Sequence, residues 1–428
     1  MIRIVLIFSL LSPLTALAET SSSLPDPLSL QQAMQLASDN QHFQVLEAEA
    51  AIVDAQSQLS AAESALGFKA KIEIEAAYIE PSRFALNQSG NDSRVSLRLS
   101  KPLYDFGGSD DKILAASTEQ LAAESHMAFI LAQRKINIAR QFFEVVLADL
   151  KYAWDNEAMA VAFVSFDADK DRYALTKLSE VDLLEAENSY LETLYQRNLS
   201  EVEQRHSRAR LAEELNKPEQ LPSDVLRPTF DFSQQNLPEY QLLVDKVLLN
   251  NPQIVLAEKR LQAANQRVIA EDKQMNPRLD AEFAVSDYAR VTSSTEDWRA
   301  QLNLVIPLYE NSSIKSDIAK ARAVWLKQRA MLLNIKMDIR KQVLRLWQSI
   351  NVLNKRREQL QTSLDFRELN LDKSRALYEM EVKTDLGTSM IAISEIQYKQ
   401  AKNDYELVLA WMQLRLLAGE TNVMKMSF

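Results

Sequence analysis

The chain has 428 residues, 46% of them hydrophobic, a formal net charge of −10 and no cysteine. The missing cysteines exclude disulfides, thiolate metal sites and thiol nucleophiles, and the acidic balance argues against a nucleic-acid partner, because phosphate binding asks for a basic surface. Only 6 glycines occur, far below the roughly 7% of average usage, which favours long helices because glycine weakens a helix interior.

Residues 1–18 read as a signal peptide: Arg3, an apolar run from Ile4 to Leu11, then Ala16-Leu17-Ala18, with cleavage expected before Glu19. The run is shorter than the about 20 residues a spanning helix needs. Residues 19–217 form a first unit. It opens with a helical segment from Leu28 to Leu66, followed by period-two alternation. Ala70, Ile72, Ile74, Ala76 and Tyr78 alternate with Lys71, Glu73, Glu75 and Ala77; beyond a polar loop from Glu80 to Asp92, Val95, Leu97 and Leu99 alternate with Arg94, Ser96, Arg98 and Ser100. Alternation of this kind is the signature of a strand. The proline-free stretch from Leu103 to Lys217 can be helix nearly throughout, since no residue in it removes a backbone donor. It divides into a long helix from about Asp105 to Leu175 and a returning helix from Ser179 to Lys217.

Residues 218–238, with prolines at 218, 222, 228 and 238, read as a linker. A second unit, residues 239–428, repeats the first. Leu302-Asn303-Leu304-Val305-Ile306-Pro307-Leu308-Tyr309 echoes Leu97-Arg98-Leu99-Ser100-Lys101-Pro102-Leu103-Tyr104 at a shift of about 205 positions, and Asn250-Asn251-Pro252 echoes Asp39-Asn40-Gln41. The second strand pair sets Leu279, Ala281, Phe283 and Val285 against Asp280, Glu282, Ala284 and Ser286, then Trp298, Ala300, Leu302, Leu304 and Ile306 against Arg299, Gln301, Asn303 and Val305, with a loop from Ala289 to Asp297. Helices are expected from Glu239 to Asn276, Glu310 to Tyr378 and Thr384 to Gly419. At 1.5 Å per residue each long helix spans about 105 Å and each short one about 58 Å, so two short helices stacked end to end match one long one.

Four strands of about ten residues suit a tilted membrane-spanning strand. On this reading Lys71, Glu73, Glu75, Arg94, Arg98, Asp280, Glu282 and Arg299 face a water-filled lumen, and Ile72, Ile74, Leu97, Leu99, Phe283 and Leu302 face lipid. Phe68, Tyr104 and Tyr309 at one level and Tyr78, Tyr288 and Trp298 at the other would form two interfacial belts. Four strands cannot close a barrel, and an open edge in lipid leaves backbone groups unpaired, so several chains must share one barrel. The helices carry coiled-coil seams: Ile339, Leu346, Ile350, Leu353, Leu360, Leu364 and Leu371 in the second unit, and Leu184, Leu191, Tyr195 and Val202 in the first. Catalysis has little support. His42, His126 and His206 have no ligand partner at helical spacing, and neither a phosphate loop nor a nucleophile motif occurs, so no cofactor, metal or catalytic residue is expected.

The tandem unit of helix, strand pair, long helix and hairpin, the Lys101-Pro102-Leu103-Tyr104-Asp105-Phe106-Gly107-Gly108 junction and the tip from Arg172-Tyr173 to Ala186 resemble TolC-like outer-membrane efflux proteins. The resemblance covers nearly the whole chain beyond the signal peptide. It implies a mainly α-helical protein with a membrane β-barrel: a homotrimer with a twelve-stranded barrel in the outer membrane and an α-helical tunnel projecting into the periplasm. It also implies an exit duct, not an enzyme, serving a tripartite efflux or type I secretion system through a periplasmic adaptor and an inner-membrane transporter. For the periplasmic gate it points to Asp182 in the first tip and to Tyr378 and Lys383 in the second, with Asp385 as a nearby acidic substitute, because Gly387 and Met390 stand where the family's ring aspartates would be. The tip glycine of the family is Thr176 in the first unit and Glu381 in the second. The alternative, a periplasmic coiled-coil adaptor or scaffold, would need glycine-rich β-domains around one hairpin, which this chain lacks.

Overall fold

The computed structural model describes residues 24–39, 41–233, 235–308, 313–380 and 386–420. The expected signal peptide, Tyr309, Glu381, Lys383 and Asp385 lie outside them. The first half contains α1 (Leu30–Gln35), α2 (Phe43–Ser64), β1 (Lys69–Glu75), β2 (Arg94–Tyr104), α3 (Gly108–Ala174) and α4 (Glu180–Glu214). The second half contains α5 (Tyr240–Asn250), α6 (Pro252–Asp272), β3 (Arg278–Tyr288), β4 (Trp298–Val305), α7 (Ser313–Glu379) and α8 (Leu386–Leu417). Both long helices have 67 residues, about 100 Å at 1.5 Å per residue.

The segment expected as one helix from Leu28 to Leu66 is interrupted, and so is its counterpart from Glu239. Between α1 and α2 a short 3₁₀ turn, Leu36–Ser38, is followed by extended backbone at Asp39 (φ −61°, ψ 114°) and His42 (φ −73°, ψ 135°). Between α5 and α6 the cause is local: Pro252 forces Asn251 out of the α region (φ −63°, ψ 125°), and the Asn251 side chain accepts from the amides of Gln253 and Ile254 to cap α6. These breaks are where the hairpin helices end. Asn216, in left-handed backbone just past α4 (φ 59°), donates to Asp39. Asn251 donates to the carbonyl of Leu417 at the end of α8. Gly419 is required there twice over, by its φ of 82° and because a Cβ would lie 2.4 Å from the Asn250 carbonyl oxygen. Thus α4 abuts the α1/α2 break and α8 abuts the α5/α6 break, and each pair of short helices runs beside one long helix.

Helix α3 packs against α2, α4, α6 and α8, and α7 packs against α5, α6 and α8. The densest burial lies at mid-length, where Ile136, Ile138, Phe142, Phe143 and Val145 of α3 meet Leu407, Val408 and Met412 of α8 and Ile339 and Ile350 of α7; each such side chain contributes about 1.5–3 kcal/mol. The described residues of the proline-rich segment, 218–233 and 235–238, form a strap across this level. Val225 pairs with Leu28 in a parallel bridge, the Trp347 indole donates to the Pro238 carbonyl, and Arg357 stacks 4.6 Å from the Phe232 ring centroid. The seam residues Ile339, Ile350, Leu353 and Leu360 are buried within the chain. Those of α4 are not: Leu184, Leu191, Tyr195 and Val202 remain about half exposed.

One buried polar cluster lies beneath the first helix break. Arg134 is wholly buried and donates to the carbonyls of Asp39 and Glu214. Burial raises the Glu214 carboxyl above the ordinary carboxylate range, with Arg134 and Arg140 opposing the rise only in part, and its Oε1 is buried without a hydrogen-bond partner. A carboxyl raised on folding stabilises most below its unfolded value, and that contribution is lost as the pH rises through the folded value. Glu214→Gln is therefore expected to raise the melting temperature at pH 7 and to match the unaltered protein below about pH 4. Melting curves of the two proteins at both pH values check this; a Glu214→Gln protein that melts lower at pH 7 would refute the assignment.

Candidate conduit surfaces

The four strands form one antiparallel sheet in the order β1-β2-β3-β4. The central pair joins residues almost two hundred positions apart in sequence. Rows of the register carry like side chains: Ile72 opposes Leu97, which opposes Val285, and Val285 opposes Trp298; Ala70, Leu99, Phe283 and Ala300 form the next row. Paired residues share a face, so one face is apolar and exposed, with Ile72, Ile74, Trp298, Leu302 and Leu304 each more than 60% accessible.

The other face gathers every one of the eight charged strand residues singled out from the sequence. Arg98 bridges three strands, reaching Glu73 on β1 at 3.4 Å and Glu282 on β3 at 3.0 Å. Arg94 pairs with Glu75 at 2.6 Å and Lys71 with Glu73 at 2.5 Å, while Arg278 holds Asp280 at 2.8 Å and Arg299 reaches Glu296 in the loop at 2.5 Å. Gln301 donates to the second oxygen of Glu282. With opposite charges interleaved across the strands, the face is neutralised locally, and its pairs are exposed enough to contribute only about 0.2–1 kcal/mol each.

One aromatic residue departs from the expected belts, and a second reaches the lipid-facing side only through an irregularity. Tyr288 opposes Arg94 and so stands on the charged face, not with Trp298. Tyr104 would share the charged face by parity, but the register shifts between Pro102 and Tyr104, so that Tyr104 opposes Leu279 on the apolar face. Pro102 lacks a backbone donor and the irregularity accommodates it. Tyr104 then packs 4.7 Å from Phe106, which begins the turn into α3; Phe106 and Gly107 both adopt left-handed backbone (φ 56° and 82°).

At the far ends of the helices lie the hairpin tips. Asp182 helps to begin its own helix. Ser179 caps α4 by accepting from the Asp182 amide at 3.2 Å, and the Ser179 hydroxyl donates to the Asp182 carboxylate at 2.6 Å. A carboxylate in the first turn also suits the helix dipole. Tyr378 lies in the last turn of α7 and is half exposed. Gly387, where the family's acidic ring residue would be, lets α8 approach α3 closely, because a Cβ would meet Val161 at 2.8 Å. The α7 and α8 arms enclose a polar cleft of about 180 Å³ that includes Arg367, Lys373 and a Ser374–Ser389 hydrogen bond of 2.8 Å. None of these tip contacts could be read from residue spacing alone.

Residues 243–420 match the family model described as "Outer membrane efflux protein". This segment carries the outer membrane efflux protein domain. No curated protein sequence matches at a significant level. Among solved structures, the chain is similar to the Campylobacter jejuni CmeC outer membrane channel, with a TM-score of 0.72 and 16% identity over 98% of this chain and 94% of that one. It is also similar to the Vibrio cholerae outer membrane protein VceC, with a TM-score of 0.70 and 16% identity over 89% and 95% of the two chains. The resemblance to TolC-like outer-membrane efflux proteins read from the sequence is borne out, and the fold is that of these channels. In this chain His42, His126 and His206 stay dispersed, and no group of three metal-ligating side chains occurs among the described residues. No helix among them is long and apolar enough to cross a membrane.

The first tip stores backbone strain. Thr176, in the place of the family's glycine, has a φ of 54°, and the amide of Lys177 donates to the Arg172 carbonyl to close the end of α3. A β-branched residue in left-handed backbone costs about 1–2 kcal/mol. Thr176→Gly should slow amide hydrogen exchange across Leu175 to Lys177 about fivefold, the equivalent of about 1 kcal/mol. Faster exchange in Thr176→Gly would mean that no strain is held there.

Proposed function

We propose that three copies of the chain form a continuous duct, with a twelve-stranded barrel in the outer membrane and a helical tunnel in the periplasm, through which cargo leaves the cell. The observation that carries this reading is the isolated four-stranded sheet, apolar on one face and charged on the other, with β1 and β4 as its edges. Joining β4 of one copy to β1 of the next leaves no edge in lipid, which alone satisfies the backbone there. The half-exposed apolar seam of α4 supports the same assembly, because a seam at coiled-coil spacing asks for a neighbouring helix. In this arrangement residues 19–217 and 239–428 act as two repeat units joined by 218–238. The eight charged residues of the sheet line water, and the apolar rows face lipid. The duct would serve a tripartite efflux or type I secretion system, meeting a periplasmic adaptor and an inner-membrane transporter at its tips.

Absence of native cysteine makes the arrangement directly testable. Glu73→Cys should react with a membrane-impermeant maleimide that enters the lumen, while Ile72→Cys should react only with a lipid-soluble reagent, both in heat-resistant trimers from the outer-membrane fraction. Reversed labelling, or a fully soluble periplasmic protein, would sink the duct. Leu99→Arg, in the middle row of the apolar face with Phe283 and Ala300, should destabilise the barrel by about 2–4 kcal/mol in refolding titrations.

We further propose that Asp182, Lys383 and Asp385, with Tyr378, hold the periplasmic end closed. Exposed pairs are worth only about 0.2–1 kcal/mol each, yet threefold repetition of several can leave the open form at roughly 0.1–10% of the population. Asp182→Asn combined with Lys383→Gln should raise single-channel conductance in planar bilayers with trimers intact. Unchanged conductance would reject these residues as the gate.

A further inference from the structure

The apolar face of the sheet is not uniform, and its irregularity lies at the end nearest the helices. Three register rows run across β2, β3 and β4: Leu97, Val285 and Trp298; Leu99, Phe283 and Ala300; Lys101, Ala281 and Leu302. Large side chains fill the first row, whereas Ala300 and Ala281 leave the second and third unfilled on a diagonal. The result is a groove of about 390 Å³ bordered by Phe68, Leu99, Phe283 and Leu302, within the usual size of small-molecule sites, about 300–1,000 Å³.

A single cation stands at its margin. Lys101 shares the face of Leu99 and Leu302, its ammonium lies 5.5 Å from the Phe68 ring centroid, and it has no ion-pair partner among the described residues. On the opposite face every basic strand residue named above has a carboxylate within reach. A lysine at the end of a lipid-facing strand can extend its ammonium to the phosphate level of the membrane, where it binds phosphate as a point charge. Extension alone needs no groove; a cation beside an apolar channel matches a molecule that has both an anionic head and an alkyl chain.

We propose that this groove binds one anionic glycerophospholipid per subunit, with an acyl chain over Ala281 and Ala300 and the phosphate on Lys101. The site rests on the reading of this face as lipid-facing. Lying at the helix end of the strands, it selects a lipid of the periplasmic leaflet. The ammonium supplies the preference for a negatively charged head, and the two alanines supply the space for the chain.

Native mass spectrometry of the full-length oligomer, extracted from the outer-membrane fraction in non-ionic detergent and titrated with phosphatidylglycerol or phosphatidylethanolamine, tests it. The expected result is one retained phosphatidylglycerol per subunit, with weaker retention of phosphatidylethanolamine. Lys101→Gln should lower phosphatidylglycerol affinity about tenfold, to the level of phosphatidylethanolamine, and Ala281→Leu should remove binding of both. Lys320→Gln, on the exposed face of α7, should change neither. Equal retention of the two lipids by the unaltered oligomer, or undiminished retention by Lys101→Gln, would overturn the proposal; the latter comparison decides alone if Ala281→Leu does not assemble. Intact membrane-inserted trimers that hold no lipid would reject the site and spare the duct, whereas a protein missing from the outer-membrane fraction would reject both.

Discussion

An unpaired strand edge in hydrocarbon costs several kcal/mol for each backbone group, and the rest of this molecule can be understood as the means of avoiding that cost. The sheet has two edges, β1 and β4, and each strand continues into or out of a helix. Strand order is therefore copied into helix order: α2, α3, α6 and α7 stand side by side beneath β1, β2, β3 and β4, and the contacts of α3 with α2 and α6, and of α6 with α7, follow it. Closing the sheet by adding further copies closes the helical layer at the same time. In the proposed trimer, a barrel that closes on its edges thus determines a tunnel below it.

In that trimer the tunnel wall must also continue past the point where α2 and α6 begin, and the hairpins supply that length. Each half completes its wall by butting the end of one helix against the start of another, and both joints rely on an asparagine side chain, Asn216 donating to Asp39 and Asn251 donating to the Leu417 carbonyl. The two joints differ in what lies beneath. In the second half Pro252 enforces the break and Gly419 permits the close approach. In the first half no proline stands at the break, and buried Arg134 donates to the Glu214 carbonyl and to the Asp39 carbonyl, which also accepts from the His42 amide. A buried cation held chiefly by carbonyls is costly to lose, because the Glu214 carbonyl then loses this donor while the Asp39 carbonyl keeps only the His42 amide.

The sequence makes one class of feature legible and hides another. Period-two alternation identified every strand and placed all eight charged residues on one face, since parity is a property of the chain alone. Simple parity does not extend to Tyr104, where the register shift at Pro102 turns the side chain to the apolar face and so into its expected belt, whereas the Tyr288 assignment failed because an aromatic near a strand end was grouped by level without counting parity. The Arg98–Glu282 pair was beyond reach, because the neighbour of β2 is set by tertiary pairing across the two halves. The helix breaks were half legible: Asn251-Pro252 carries its own explanation, while Asp39 to His42 depends on contacts with α3 and α4. The tips were least legible, because Asp182 and Gly387 have structural roles that depend on a cap and on a neighbouring helix.

The strap of residues 218–238 has a consequence for how such a cylinder could move. In a ring of three chains there are six vertical junctions, since β2 meets β3 within a chain just as β4 meets β1 between chains. Three of the six are spanned at mid-height by the strap, which links Leu28 at the start of one half to Trp347 and Arg415 in the other. The other three have no covalent tie. In the proposed trimer a cylinder fastened at alternate junctions would dilate by shearing along the unfastened ones, each chain turning as a stave and the opening keeping threefold symmetry.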